Sequence, residues 1–394
     1  MAGRSAISIG GWNHRLDDEV EEVLMSFEQI SIRNFRAIAS LDIDNIKQVN
    51  LLTGRNNCGK TSVLEAIFLL AGMSNPQLAV NIHNFRGLIL NDNGDFGYLF
   101  HGFDFSRNPS ITGRLGYQQR TLDIRPIYPT STGIFEQLSG GYELAEAKPL
   151  SSTITTENIP DGLAFDFSVG ENSFRAEIKI VPGNPTNSLR VNMGGQVNTT
   201  PASGYRESFD TSFINPATIT AAPYQRLEAI LVRKELAGII DALREIEPNL
   251  RDVRLGTGEK IYADIDGIGR LIPINIMGDG LIRILAILVA ISEMKDGVLL
   301  IDEIENGLHY TALMPLWKAV FKMIRESNVQ LFIATHSDEC INAMVRTYQT
   351  YHDADMGEDF ISLFRIDREG DRHRAYQYDA QTLLAGIGED FEVR

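Results

Sequence analysis

The segment Gly54-Arg-Asn-Asn-Cys-Gly59-Lys60-Thr61 fits the pattern G-x-x-x-x-G-K-[ST] and lies between two regularly patterned apolar segments. Residues 49–52 are a short apolar run typical of a strand, and apolar residues recur at helical spacing over 60–72. Glycines let such a loop point its N–H groups at phosphate oxygens, and the following helix adds its positive end. We expect a phosphate-binding loop, because a chance glycine-rich turn would need neither flanking element.

Two side chains of this loop have distinct chemical roles. Lys60 supplies a positive charge to the β- and γ-phosphates of a nucleotide, and Thr61 supplies a hydroxyl to Mg²⁺. The loop therefore predicts a nucleoside triphosphate that is bound together with Mg²⁺.

A second apolar run, residues 298–301, ends in the carboxylates Asp302 and Glu303. Four consecutive apolar residues are typical of a strand buried on both faces of a parallel sheet, and ligands bind at the carboxyl ends of such strands. Asp302 would hold Mg²⁺, directly or through water, and Glu303 would accept a proton from the attacking water. The alternative is a strand followed by an ordinary acidic turn. The phosphate loop earlier in the chain favours the catalytic interpretation over this alternative.

A third apolar run, residues 331–334, ends in Thr335 and His336. A histidine at this place can contact the γ-phosphate and sense its loss. A single histidine at a strand end is often structural. Its position about thirty residues after the acidic pair favours the functional interpretation.

The turn 277–281 opens an apolar helix predicted over 279–293. A helix N-terminus flanked by glycines binds anions, but the phosphate loop of the same chain already provides such a site. We therefore expect this turn to face the γ-phosphate of a nucleotide held by a second copy. The alternative is an ordinary helix cap by Asp279.

In chain order, NFRAI, GRNNCGKTS, MGDGL, LLIDEIENGLHY and IATHS resemble the ABC-type ATPases of the OLD, RecF, Rad50 and SMC group, over residues 27–72 and 215–345. The resemblance implies ATP and Mg²⁺ as ligands, with Thr61 and Asp302 at the metal. It implies three catalytic residues, which are Lys60, Glu303 and His336. It also implies a nucleotide-binding set drawn from the phosphate loop, the signature turn and one arginine: Arg36, Asn56, Asn57, Gly59, Lys60, Thr61, Ser62, Gly278, Asp279 and Gly280.

The sequence departs from that group at the signature. Gly278 stands where the group has a serine that touches the partner's γ-phosphate, so slow turnover is expected. The resemblance does not identify the Q-loop glutamine, for which Gln118 and Gln119 are candidates. Residues 305–309 resemble the loop that crosses to the other protomer.

Two absences in the sequence narrow the choice within the group. No heptad run of the Rad50 or SMC kind occurs, and about sixty residues follow His336, fewer than a Toprim nuclease domain needs. The length and the β-rich middle most resemble the ATPase subunit of PARIS-type anti-phage defence. That resemblance implies homodimers or multiples of dimers, a separate Toprim-class nuclease as effector, and a phage protein as trigger.

Charge and cysteine content bear on the partners and the location. With 36 Lys+Arg and 52 Asp+Glu, the net charge is −16, which repels phosphate backbones and predicts weak or absent DNA binding. The two cysteines, Cys58 and Cys340, favour a reducing, cytoplasmic location. The longest apolar run, residues 281–291, is about half the length that a membrane span needs, so no membrane association is expected.

The pattern of elements predicts an α/β fold: an ABC-ATPase head with a mostly parallel core sheet flanked by helices, a β-rich antiparallel subdomain and a helical signature subdomain. A hairpin is expected over 163–180, a polar loop over 183–210, and one helix over 227–246 that Pro248 ends. Five regions are expected. They are an N-terminal extension (1–24), a lobe with the phosphate loop (25–80), a β-rich insert (81–215), a helical and signature region (216–296), and a lobe with the acidic pair (297–394).

Two other functions are compatible with these motifs. A RecF-like repair ATPase that clamps DNA would need a strip of Lys and Arg along one face, and the sequence contains no concentrated basic run. A structural protein with a relict nucleotide site is disfavoured because Lys60, Thr61, Asp302 and Glu303 are all present.

Overall fold

The structure is a computed structural model that describes residues 26–128, 159–181, 196–219, 223–352 and 360–386. The expected N-terminal extension, 1–24, lies outside these described residues. Among the helices that are described, none is both long and apolar enough to cross a bilayer.

The first described elements form the strands and the helix around the phosphate loop. They are β1 (Phe27–Phe35), β2 (Ile38–Ile43), β3 (Val49–Thr53), α1 (Lys60–Ala71) and α2 (Gln77–Asn84). Every residue of β3 is buried, and so is nearly all of α1, because both elements are covered on two sides. The helix predicted over 60–72 is confirmed.

An antiparallel arm follows. Its strands are β4 (Ser110–Leu115), β5 (Gln118–Ile127), β6 (Gly162–Val169), β7 (Asn172–Val181) and β8 (Gln196–Thr200). β6 and β7 are the predicted hairpin, with Phe167 opposite Phe174. In the second half of β7 the side chains alternate between buried and partly exposed, as expected for a sheet with one solvent-facing side.

The chain then returns to the core sheet and builds the helical and signature region. The elements are β9 (Thr211–Ile214), α3 (Pro223–Arg233), α4 (Leu236–Leu243), β10 (Leu250–Gly256), β11 (Lys260–Ile265), β12 (Ile272–Pro273) and α5 (Asp279–Glu293). β10, β11 and β12 form a small antiparallel sheet of their own.

The last part of the described chain alternates strands with helices. The elements are β13 (Val298–Asp302), α6 (Leu313–Ser327), β14 (Gln330–Ala334), α7 (Asp338–His352), β15 (Ile361–Glu369), β16 (Arg372–Asp379) and α8 (Ala380–Gly386). The strands β13 and β14 contain the apolar runs 298–301 and 331–334 that the sequence analysis singled out.

In the described part of the chain, thirteen strands form one sheet in the order β8-β7-β6-β5-β4-β1-β2-β16-β15-β3-β14-β13-β9. Strands β15, β3, β14, β13 and β9 are parallel neighbours, and the arm is antiparallel. Leu52 lies opposite Ala334, and Ala334 opposite Asp302, so three loops begin at one edge of the sheet. The predicted mixed α/β class with a parallel core is confirmed.

The parallel strands separate two hydrophobic cores. Along β3, Val49 and Leu51 point into the core that contains Leu285 of α5 and Trp317 of α6. Leu52 points to the opposite face, where it joins the core that includes the helix α1. Strands covered on both faces carry continuous apolar runs, as the sequence shows for β3, β13 and β14.

Two local predictions were wrong. The helix predicted over 227–246 is two helices, because Lys234 adopts a left-handed conformation with φ 62° and breaks the chain of helical hydrogen bonds. Part of the predicted loop over 183–210 is the strand β8, which pairs with β7. Polar side chains on an edge strand resemble those of a loop, because neither is packed against a core.

A buried arginine joins the arm to the helix of the phosphate loop. Arg120 of β5 is 1% exposed and donates to the carbonyls of Leu70 and Ala71 at the end of α1. It also pairs with Glu207 at 2.8 Å. The arm is thus fixed to the C-terminal end of the helix whose N-terminal end forms the phosphate loop.

Candidate nucleotide-binding and hydrolysis site

The phosphate loop connects β3 to α1 in a conformation that its residue types permit. Gly54 has φ 134° and Gly59 has φ 99°, and Asn57 is left-handed at φ 61°. A Cβ on Gly54 would lie 2.4 Å from the carbonyl oxygen of Ile366 in β15, so no side chain fits there. The loop leads directly into α1 through Gly59, and the positive N-terminus of a helix favours a bound phosphate.

The ammonium group of Lys60 lies inside the loop. Its Nζ donates to the carbonyls of Gly54 at 2.8 Å and Arg55 at 3.1 Å. Lys60 is 4% exposed, and this burial lowers the pKa of its ammonium group. The side chain is thus positioned as a desolvated donor toward an anion held by the loop.

Thr61 and Asp302 bring the loop and β13 together. The Thr61 hydroxyl donates to Asp302 Oδ2 at 2.9 Å. Burial raises the pKa of Asp302 to about 6, against the effect of the Thr61 hydrogen bond. One hydroxyl and one carboxylate beside a phosphate site are the oxygen donors that Mg²⁺ takes, so these residues fit the metal.

The side chains that follow β13 and β14 also approach each other. Glu303 is left-handed at φ 54°, and its N–H donates to the carbonyl of Ala334 at 2.9 Å. Its Oε1 lies 4.0 Å from His336 Nε2, and its Oε2 accepts from Asn306 at 3.0 Å. Burial, followed by the charge of Lys60, lowers the pKa of His336, so the imidazole is neutral at pH 7.

A cleft of about 720 Å³ lies above these groups. It is lined by the predicted loop residues and by residues from five other segments: Ala37, Asn56, Asn57, Gly59, Lys60, Thr61, Ser62, Arg86, Glu303, His336 and Arg368. The structure thus places most of the predicted site residues of the phosphate loop, and both Glu303 and His336, around one cleft.

A buried ion cluster supports the cleft, and two of its members, Glu65 and Arg86, were not predicted from the sequence. Glu65 of α1 is 1% exposed and pairs with Arg36 at 2.8 Å and Arg86 at 2.7 Å. Arg36 was predicted to bind nucleotide, but it does not line the cleft and contacts Glu65 instead. Arg86 lines the cleft and reaches Ser62 at 3.5 Å. The only sign of this ion cluster in the sequence is a glutamate, Glu65, among the apolar residues of α1.

The signature turn lies outside this cleft. Gly278 has φ 107°, and Gly280 and Arg283 of α5 lie against Leu308 and Gly307 of the loop that follows Glu303. The exposed side chains of Ile276 and Tyr310 directly flank these two segments. The signature and the predicted crossing loop thus form one surface that is separate from the chain's own phosphate loop.

Neither candidate for the Q-loop glutamine approaches the cleft. Gln118 and Gln119 are exposed at the start of β5, where they pair with Leu115 and Arg114 of β4. The interpretation of either residue as the Q-loop glutamine was therefore wrong, because the β4–β5 turn is part of the arm.

Two family models match the chain in the segments that build this site. A model described as "AAA ATPase domain" matches residues 25–100. A model described as "AAA domain, putative AbiEii toxin, Type IV TA system" matches residues 179–342. The first contains the phosphate loop, and the second contains the signature turn, the acidic pair and His336.

Individual proteins are similar over very different lengths. The chain is 25% identical over 335 residues to the "ATP/GTP phosphatase" of Helicobacter pylori, covering 80% of this chain and 87% of that protein. A 47-residue segment is 47% identical to the "DNA replication and repair protein RecF" of Nitrosococcus oceani, covering 12% and 13%. The SMC head domain from Thermotoga maritima aligns with a TM-score of 0.43 and 12% identity, over 90% of this chain and 100% of that one.

The geometry and the sequence matches together define the class of protein. A phosphate loop, a Thr–Asp pair suited to Mg²⁺ and a following glutamate stand at one edge of a parallel sheet, within segments that match AAA models. The chain is a P-loop ATPase, two segments of which match AAA family models. Its similarity to the ATP/GTP phosphatase of Helicobacter pylori extends along most of both chains.

Proposed function

We propose that the chain is a regulatory ATPase that hydrolyses ATP between two paired copies and thereby controls a separate effector protein in anti-phage defence. The main support for pairing is that the signature turn lies outside the nucleotide cleft of its own chain. A glycine-flanked helix N-terminus that does not serve its own phosphate loop is available to a nucleotide on a neighbour.

In the proposed reaction each residue of the site has a distinct role toward the nucleotide, the metal or the attacking water. Lys60 binds the β- and γ-phosphates, and Thr61 and Asp302 hold Mg²⁺, which neutralises phosphate charge when bound. Glu303 accepts a proton from the attacking water, and neutral His336 donates a hydrogen bond to the γ-phosphate. Because Glu303 Oε1 lies 4.0 Å from His336 Nε2, both groups can reach the same phosphoryl group.

The proposed dimer surface combines the signature turn with residues 305–309. Ile276 is 75% exposed and Tyr310 is 67% exposed on this surface. Large apolar side chains with this exposure are favourable in an interface that excludes water. In this proposal residues 25–80 and 297–394 are the lobes that hold the nucleotide, residues 216–296 are the helical and signature region that meets the partner, and residues 81–215 are the β-rich insert.

The effector proposal rests on the resemblance to PARIS-type ATPase subunits and on the toxin–antitoxin description of the matching model. The effector would be a Toprim-class nuclease, released when a phage protein acts on the ATPase. A net charge of −16 makes the ATPase itself a poor partner for nucleic acid. A neighbouring reading frame without any nuclease signature, together with unchanged phage plating when both genes are expressed, would exclude this part of the proposal.

ATP hydrolysis and pairing can be tested with the purified full chain. We expect phosphate release by the wild-type chain, none by Lys60→Ala, and dimers or multiples of two by light scattering with ATP and Mg²⁺. A strict monomer under conditions that saturate ATP binding would falsify the sandwich arrangement.

Short matches to RecF proteins support a second candidate, an ATPase that clamps DNA. It predicts tight, salt-dependent binding of duplex DNA that requires ATP. Mobility shifts with a duplex at two salt concentrations separate the two proposals, because the regulatory ATPase should leave the duplex unbound at moderate salt.

A further inference from the structure

Glu305 connects the two loops that carry Glu303 and His336. Its Oε1 accepts from the Thr335 hydroxyl at 2.7 Å and from the N–H of His336 at 3.1 Å. The contact spans 30 residues of sequence and joins the end of β13 to the end of β14. The side chain of Glu305 thus points into the molecule, although the sequence placed this residue in a loop that crosses to a partner.

The surroundings of this contact restrict its geometry. Thr335 is fully buried, its N–H donates to the carbonyl of Leu52, and its hydroxyl accepts from the N–H of Ser337. The segment that precedes and follows His336 is therefore held by hydrogen bonds on both sides. Glu305 provides the bond that reaches the main chain of His336 itself.

The main chain of Glu305 has a second role. Its carbonyl accepts from the N–H of Leu308, which closes the turn 305–308. Leu308 and Gly307 lie against Gly280 and Arg283 at the start of α5. One residue therefore touches both the histidine segment and the turn that packs on the signature helix.

We infer that Glu305 is a positioning residue for hydrolysis, which orients His336 through its main chain and links that orientation to the turn against the signature helix. This inference rests on the proposed function, because it assigns His336 to the γ-phosphate. The carboxylate oxygen Oε2 is buried with no hydrogen-bond partner among the described residues, so the hydrogen bonds through Oε1 carry the contact.

Two substitutions separate the hydrogen bonds of Glu305 from its charge. Glu305→Gln keeps an acceptor oxygen for Thr335 and His336, whereas Glu305→Ala removes it. We expect Glu305→Ala to lower kcat by about tenfold to a hundredfold with little change in KM, because misplaced catalytic groups slow the chemical step. Glu305→Gln should lose less. The charges acting on His336 are those of Lys60, Glu303 and Glu305, so its titration midpoint should fall in both variants.

Glu339 provides a matched control. It is an exposed carboxylate near His336, but it accepts from the Ser337 hydroxyl at 2.9 Å rather than from His336. Glu339→Gln should keep the wild-type kcat and the wild-type NMR signals of His336. Thr335→Val removes one of the two donors to Glu305. The losses in kcat caused by Thr335→Val and by Glu305→Ala should not multiply in the double variant, because both substitutions act through the same hydrogen bond.

The NMR signals of ¹³C-labelled His336, assigned with His336→Gln, test the inference without nucleotide. A wild-type signal and pH profile in Glu305→Ala, or multiplying losses in the double variant, would overturn it. If Glu305→Ala melts at a temperature too low for assays, Thr335→Val tests the same contact through the loss of the hydroxyl that donates to Glu305, and a wild-type His336 signal in that variant would overturn the inference. An inactive wild-type chain would instead overturn the proposed hydrolysis, and the His336 signal would still decide the role of Glu305.

Discussion

The hydroxyl of Thr61 donates to Oδ2 of Asp302 at 2.9 Å, across 241 residues of sequence. This bond joins the first residues of α1 to the end of β13 and holds the two protein oxygens suited to Mg²⁺ side by side. A cation held at this place would replace the hydrogen bond between the two side chains.

The first prediction concerns Thr61. Thr61→Ala removes the hydroxyl, so Mg²⁺ should no longer strengthen ATP binding, whereas Thr61→Ser should retain the effect. Titration of a fluorescent ATP analogue with Mg²⁺ and with a chelator measures the difference. Equal strengthening by Mg²⁺ in the alanine and wild-type chains would remove Thr61 from the metal site.

The second prediction concerns pH. Burial raises the pKa of Asp302 to about 6 in the folded, ligand-free protein, so the folded state binds the proton more tightly than the unfolded state does. The contribution of Asp302 to the free energy of unfolding therefore falls as pH rises through about 6. Mg²⁺ binds only the carboxylate, so the rise in Tm with Mg²⁺ and ATP should grow from pH 5 to pH 7.

Thermal melts of Asp302→Asn provide the control for this prediction. The phosphates of ATP also take up protons in this range, and the asparagine variant reports that contribution alone. Identical pH dependence in the two chains would show that Asp302 does not titrate with metal binding.

The third prediction concerns Glu303. Glu303→Gln should bind ATP as the wild type does, lose about a hundredfold in turnover, and accumulate paired chains. Quenched-flow phosphate release and light scattering measure these two outcomes. An unchanged turnover rate would exclude Glu303 as the group that accepts the proton of water.

The fourth prediction concerns the ion cluster below the cleft. Glu65→Gln would leave the buried guanidinium of Arg36 without its counter-charge, and we expect a loss of about 3–5 kcal/mol in the free energy of unfolding. Urea denaturation measures it. Glu235→Gln removes the exposed partner of Arg233 at 2.8 Å and should cost no more than about 1 kcal/mol. Similar losses in both variants would contradict a structural role for Glu65.

The parts of the site that depend on local sequence could be predicted from the residues alone. The phosphate loop has its strand on one side and its helix on the other, so residues 54–62 could be assigned without any tertiary information. The acidic pair and His336 each follow an apolar strand, and parallel strands bring their carboxyl ends to one edge.

The remaining features depend on contacts between distant segments. Arg86 reaches the cleft because Glu65 holds it, and Glu305 turns inward because Thr335 lies opposite. The break at Lys234 has no glycine or proline to mark it, so the spacing of apolar residues could not reveal it. Charged residues in such places resemble ordinary surface residues until the fold is known.

The order of strands in the core sheet bears on how the protein is made. β3, which leads into the phosphate loop, lies between β14 and β15, and the carbonyl of Ile366 packs against Gly54. During synthesis on the ribosome, Gly54 emerges long before Ile366. The nascent chain therefore completes its nucleotide pocket only after β15 has been synthesised, and a polypeptide that stops before β15 is made without one wall of that pocket.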